Sequence, residues 1–241
     1  MQVKTYDNRS TMSRAAARHS SRTLREAIDA RGGVRIVAAT GASQTDFLGA
    51  LTAAPDIDWT RVEMFHLDEY VGLPLDHPAS FRRYLLDRLI ERTGIRRYHL
   101  LDGERDAARE ADRVGRELAA MPVDVAFVGI GENGHLAFND PPARLDDPQD
   151  TRVVELDDVS RRQQVDEGHF PTVEAVPRRA ITVTIPRLLR ARHVVASVPG
   201  AEKRDAVRAT LTAPVGPDHP GTALRTHPDV ALFLDEESAP G

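Results

Sequence analysis

A histidine set in a glycine-punctuated loop and a pair of acids at the end of a strand are the residues of this chain best suited to moving protons. The first lies in Val125-Ala-Phe-Val-Gly-Ile-Gly-Glu-Asn-Gly-His-Leu-Ala-Phe-Asn-Asp140. An apolar run of strand length leads there into Gly129, Gly131 and Gly134, which let a backbone turn sharply and approach a ligand closely. His135 would follow that turn with a side chain able to take up and give back a proton. Taken alone, the stretch is equally a tight turn carrying a structural histidine. The second stretch, Val62-Glu-Met-Phe-His-Leu-Asp-Glu-Tyr70, reads as a strand ending in two carboxylates. If the pleat persists, His66 and Asp68 share one face and Glu69 points the other way, so only one acid need enter a cleft. The bland alternative is a solvated strand end. His66, Asp68 and His135 also have metal-ligand chemistry, but the spacing matches no zinc motif such as His-Glu-x-x-His, and neither a metal nor any other cofactor is expected.

A third stretch suits an anion. Ala39-Thr-Gly-Ala-Ser-Gln44 joins a short apolar strand to a helix start, so Thr40, Gly41, Ala42 and Ser43 would offer backbone N–H groups and a hydroxyl at a positive helix terminus. It is neither a Walker A loop nor the dinucleotide glycine fingerprint, and without further support it is also an ordinary capped helix.

The elements that must position these loops alternate. Strands are predicted at Val34 to Ala39, Val62 to Tyr70, Val123 to Ile130, Ala180 to Ile185, Val194 to Val198 and Val230 to Leu234. Helices are predicted at Arg9 to Ala30, closed by Gly32-Gly33, and at Ser43 to Ala53, Ser80 to Thr93 and Asp106 to Ala120. This succession predicts an α/β fold, an open and largely parallel sheet between helical layers, with ligands at the carboxyl ends of the strands. With 241 residues, 41% of them hydrophobic, the chain is expected to form one domain over residues 1–241. The absence of cysteine excludes disulfides and thiol chemistry. A net charge of −5 argues against nucleic-acid and anionic-membrane partners. With no apolar leader or membrane-length run, a cytoplasmic location is expected.

Three motifs carry a family resemblance: Phe65-His-Leu-Asp-Glu-Tyr-Val-Gly-Leu73, His77-Pro-Ala-Ser-Phe81 and Gly129-Ile-Gly-Glu-Asn-Gly-His-Leu-Ala-Phe-Asn-Asp-Pro141. The chain resembles the glucosamine-6-phosphate deaminases (isomerases), which form one larger family with the 6-phosphogluconolactonases; the likeness runs over roughly residues 10 to 235. The resemblance implies conversion of an amino sugar 6-phosphate, glucosamine 6-phosphate first of all, to fructose 6-phosphate and ammonia. It implies Asp68 as the carbon base, His135 as the ring-opening group, and assistance from Asp140, with Asn133 in the same loop. It places the substrate on Thr40, Gly41, Ala42, Ser43, Glu69, Gly131, Arg161 and Lys203.

Lys203 has independent support, because it is one of only two lysines and stands in the first turn of a predicted helix, where a cation is disfavoured unless an anion joins it. Two departures from the deaminase pattern stand out. Asn133 replaces an aspartate found in some relatives. Asp140 replaces the usual glutamate and draws the carboxylate back by roughly 1.5 Å unless the loop adjusts. Lactone hydrolysis and a non-catalytic sugar-phosphate sensor are the competing readings. Leu136-Ala-Phe-Asn-Asp-Pro141 departs from the lactonase pattern, and Asp140 is the sensor's one support. The chain ends soon after its last predicted strand, so allosteric control through a C-terminal extension is not expected, and a homo-oligomer is left open.

Overall fold

The computed structural model describes residues 1–241. In chain order the elements are β1 (Gln2–Tyr6), α1 (Arg9–Arg31), β2 (Val34–Ala38), α2 (Thr45–Thr52), β3 (Val62–His66), β4 (Asp68–Tyr70) and α3 (Phe81–Leu85). A π-helical run over Leu86–Ile90 connects α3 to α4 (Glu91–Thr93), and β5 (Arg97–His99), α5 (Ala107–Ala119), β6 (Val125–Val128), β7 (Thr151–Glu155) and α6 (Asp158–Asp166) follow. The chain closes with β8 (Arg179–Val183), α7 (Ile185–Leu188), β9 (His193–Val198), α8 (Arg204–Thr212) and β10 (Val230–Asp235).

Seven strands form one sheet in the order β1-β10-β9-β6-β2-β3-β5, every neighbour parallel. Its five inner strands are the apolar runs of the sequence, as expected for strands covered on both faces. One layer packs α1, α2 and the helical run from α3 to α4 onto Ile36, Met64, Val125, Phe127 and Phe233. The other face carries α5, α7 and α8 against Val37, Phe65, Ala126, Val128 and Leu232. Helix α1 ends where predicted, Gly32 adopting φ 74 and donating to Ile28 O.

The predicted strand over Ala180 to Ile185 exists but does not join the parallel sheet. As β8 it sits in a separate antiparallel sheet, order β4-β8-β7, and β7 and the two edge strands β1 and β5 escaped the sequence reading. The continuous strand from Val62 to Tyr70 is likewise corrected: it breaks at Leu67. The Leu67 N–H donates to Ala38 O in the large sheet (3.2 Å), and its carbonyl accepts from Val183 N in the small one (2.9 Å). The alternation that would put His66 beside Asp68 is lost at this seam. His66 turns away, its Nδ1 facing Leu101 N at 3.4 Å, so His66, Asp68 and His135 are not brought together.

Candidate active site

Sheet order runs from β2 to β3 and β5 on one side and from β2 to β6 and β9 on the other, so the connections diverge at β2 and β6. At such a switch point the loops beyond the carboxyl ends separate and leave a crevice. Here its cavity volume is about 70 Å³. Thr40, Gly41, Ala42 and Ser43 line it from the end of β2, Leu67 and Asp68 from the end of β3, Gly129, Gly131 and His135 from beyond β6, and Lys203 from beyond β9.

Asp68 opens β4 and is 6% exposed. Burial, reinforced by the nearby charge of Glu69, pushes its carboxyl up to about 8. The dryness comes from an aromatic cluster: Tyr70 is fully buried against Phe81, Phe138 and Phe170 at ring separations of 5.0 to 5.5 Å. Glu69 points the opposite way, as the strand period requires, and does not line the crevice. Its carboxylate accepts from the backbone N–H groups of Tyr70 (2.9 Å), Phe81 (3.3 Å) and Arg82 (2.7 Å) and from Ser80 Oγ (3.1 Å). Burial lifts Glu69 to about 7 against those donors and the Arg82 guanidinium 3.6 Å away. Glu69 thus fixes the start of α3 instead of meeting a ligand directly.

His135 is placed by what Gly131 lacks. A Cβ on Gly131 would lie 2.1 to 2.4 Å from ring atoms of the imidazole. The ring Nδ1 sits 3.1 Å from Asp140 Oδ1 and 3.1 Å from Ser160 Oγ. Asp140 also accepts from Ser160 Oγ, from Asn133 Nδ2 (3.1 Å) and from Asp157 N (3.2 Å). With Asp140 acceptor-only, the network assigns the proton to Nδ1 and leaves Nε2 for the crevice. Burial would raise the Asp140 carboxyl, but the hydrogen bonds and charge of His135, with Ser160 and Asn133, hold it at about 2. The shorter side chain therefore reaches the imidazole, because the loop carries it close enough.

Asn133 lies behind this pair. Its Oδ1 accepts from His135 N (3.1 Å), and its Nδ2 donates to Asp140 and to Asp157 Oδ2 (3.1 Å). An aspartate could not donate to either carboxylate.

Lys203 is 3% exposed and is the one cationic side chain lining the crevice. Its Nζ stands 3.5 Å from Glu132 Oε1 and 3.8 Å from Glu167 Oε1. Ser43 Oγ accepts from Gln44 Nε2 (3.1 Å), which frees the serine proton for a ligand.

Arg161, like Glu69, does not line the crevice. Its guanidinium turns to Asp158 Oδ1 (3.2 Å) and to the carbonyls of Val173 and Val176, tying α6 to the following turn. Gln163, Gln164 and Glu167 line the crevice in its place, while Ser160, one turn earlier, supports His135. Positions 160, 163, 164 and 167 form one helical face, and polar residues repeating at that period were the available signal. Glu167 titrates below the usual range, because the His169 ring 3.3 Å away, a hydrogen bond from Gln163 (2.7 Å) and the charge of Lys203 outweigh its burial.

A profile of the Glucosamine-6-phosphate isomerases/6-phosphogluconolactonase family matches residues 7–232. The chain belongs to this family. Among curated members, the glucosamine-6-phosphate deaminase of Streptococcus pneumoniae serotype 4 is 33% identical over 210 residues, covering 87% of this chain and 88% of that relative. A solved monomeric glucosamine-6-phosphate deaminase superposes with a TM-score of 0.91 at 27% identity, covering 99% of this chain and 98% of that one. The 6-phosphogluconolactonase of Shewanella baltica shares the fold at 20% identity, with a TM-score of 0.80 and coverage of 98% and 97%. No helix is long and apolar enough to cross a membrane.

Proposed function

We propose that this family member isomerises and deaminates an amino sugar 6-phosphate, with glucosamine 6-phosphate giving fructose 6-phosphate and ammonia. The observation that carries this reading is the pairing, across one crevice, of a dry carboxyl raised to about 8 with an imidazole backed by a carboxylate. The free Nε2 of His135 takes the proton of the anomeric hydroxyl and returns it to the ring oxygen, which opens the sugar to its aldehyde. Asp68, ionised, removes the C2 proton and delivers it to C1. The enolamine becomes a C2 imine, water adds to it, and ammonia leaves, so one water is consumed for each ammonia released. A base whose pKa lies near neutrality suits a weak carbon acid. Lys203, Ser43 and the free N–H groups of the Thr40–Ser43 loop hold the phosphate. Asp140's reach to His135 removes the one sequence feature that favoured a non-catalytic sensor.

The test is ammonia release from glucosamine, galactosamine and mannosamine 6-phosphates, run beside hydrolysis of 6-phosphogluconolactone. Ammonia from one amino sugar supports the reading and names the substrate; lactone hydrolysis with no ammonia overturns it. Gly131→Ala provides a check on the imidazole. The added methyl group takes the ring's place, so turnover is expected to fall by about 100-fold or more in a variant with parental circular dichroism. Full activity would show that the ring does not work from its observed position.

A further inference from the structure

Two side chains that do not line the crevice hold the carbonyls of the phosphate loop from outside. Tyr84 Oη donates to Gly41 O at 3.1 Å and shares a 3.2 Å hydrogen bond with Thr45 Oγ1. Arg9 Nη2 donates to Ala42 O, while its Nε lies 2.8 Å from Asp46 Oδ2. Each carbonyl also accepts a bond from within the turn, Gly41 O from Gln44 N (3.1 Å) and Ala42 O from Thr45 N.

A trans peptide points its C=O and N–H in opposite directions. Fixing the Gly41 carbonyl outward therefore turns the Ala42 N–H inward, and fixing the Ala42 carbonyl does the same for the Ser43 N–H. The loop needs such restraint, because Gly41 sits at φ 96, where a glycine peptide can flip at little energetic penalty. The same helical run reaches the other end of the crevice. Arg82 N and Ser80 Oγ hold the Glu69 carboxylate next to Asp68, and Tyr84 follows less than one turn after Arg82.

Resting on the phosphate reading above, we propose that Tyr84 and Arg9 are positioning residues that lock the Gly41–Ala42 and Ala42–Ser43 peptides with their N–H groups toward the substrate phosphate. The helical run from Ser80 to Tyr84 thereby ties the phosphate end of the crevice to its proton-transfer end.

Inorganic phosphate binding, measured by calorimetry on the full chain, tests this beside steady-state kinetics. Tyr84→Phe keeps the ring and removes the donor; Arg9→Met removes the second donor at a half-exposed position. Each variant is expected to weaken phosphate binding about tenfold and to raise KM by a similar factor, with kcat within twofold. Together they are expected to weaken binding about a hundredfold, and Arg9→Lys to recover most of the single loss. If Tyr84→Phe does not fold, Arg9→Met carries the same test from the other side. Unchanged phosphate affinity in the folded variants overturns the proposal, as does a fall in kcat with KM unmoved, or a parent protein that binds no phosphate. Phosphate binding needs no turnover. A parent that binds phosphate, loses it in these variants, yet releases no ammonia from any amino sugar sinks the functional reading and leaves the positioning role standing.

Discussion

An Asp68→Asn variant is expected to lose turnover by at least about 1,000-fold and, at pH 8, to melt higher than its parent. The first effect follows from the proposed role of Asp68 as the base that carries the proton from C2 to C1. The second follows from linkage. The carboxyl titrates at about 8 in the folded protein against 3.8 for an unperturbed aspartate. Between those values the unfolded chain releases a proton that the native state keeps, so stability falls as pH rises through the window and levels off above about 8. Asparagine has no such dependence. The parent should match the variant near pH 4 and fall behind it by a few kcal/mol at pH 8, several degrees in melting temperature for a chain of this size. Melting curves from pH 4 to 8, paired with the ammonia assay, decide the matter, and parallel curves for the two proteins would refute the buried, raised carboxyl. Turnover of the parent should climb with pH toward about 8, since only the ionised base can take the C2 proton.

Replacing Lys203 by methionine is expected to raise KM for the phosphorylated substrate by about 100-fold or more. A charge-assisted bond to phosphate is lost, and Glu132 and Glu167, now 3.5 and 3.8 Å from the ammonium, are left facing the phosphate without a counter-charge. The number of cations makes the position decisive, since no arginine lines the crevice. kcat should change far less, because in the proposed reading Lys203 holds the 6-phosphate while the chemistry takes place at C1 and C2. Kinetics with inhibition by inorganic phosphate separate the two constants. If both constants stay at parental values, the phosphate lies elsewhere.

The large sheet was legible because its inner strands are apolar on both faces and end in glycine-rich turns, as in Val125–Val128 leading to Gly129. The stretches with the Thr40–Ser43 loop, Asp68, His135 and Lys203 drew notice because each lies beyond the carboxyl end of such a strand, while the roles expected of them came from the family resemblance. The small sheet was not. Thr151–Glu155 and Asp68–Tyr70 are short and half polar, and only pairing with β8 makes them strands. The break at Leu67 was hidden because an apolar residue continues the pattern while its two backbone groups bond to different sheets. Arg161 looked like a phosphate ligand from its motif alone. The helix phase, 100° on from Ser160, sends it to the Val173 and Val176 carbonyls instead. Ser160 itself, although one of the imidazole's two partners, offered no signal beyond that phase.

The seam at Leu67 has a consequence for how such a crevice can change its preferred sugar. The groups proposed to hold the phosphate ride on the ends of large-sheet strands, whereas the acid proposed to carry the proton rides on the small sheet, and the backbone of Leu67 bonds to both. On that proposal, chain length is measured by a ruler made of two sheets joined at one residue. Accommodating one carbon more or fewer calls for a slip of about 1.5 Å between them. Laboratory selection for longer or shorter phosphorylated sugars should therefore enrich substitutions around Leu67, Ala38 and Val183, leaving the reacting side chains untouched.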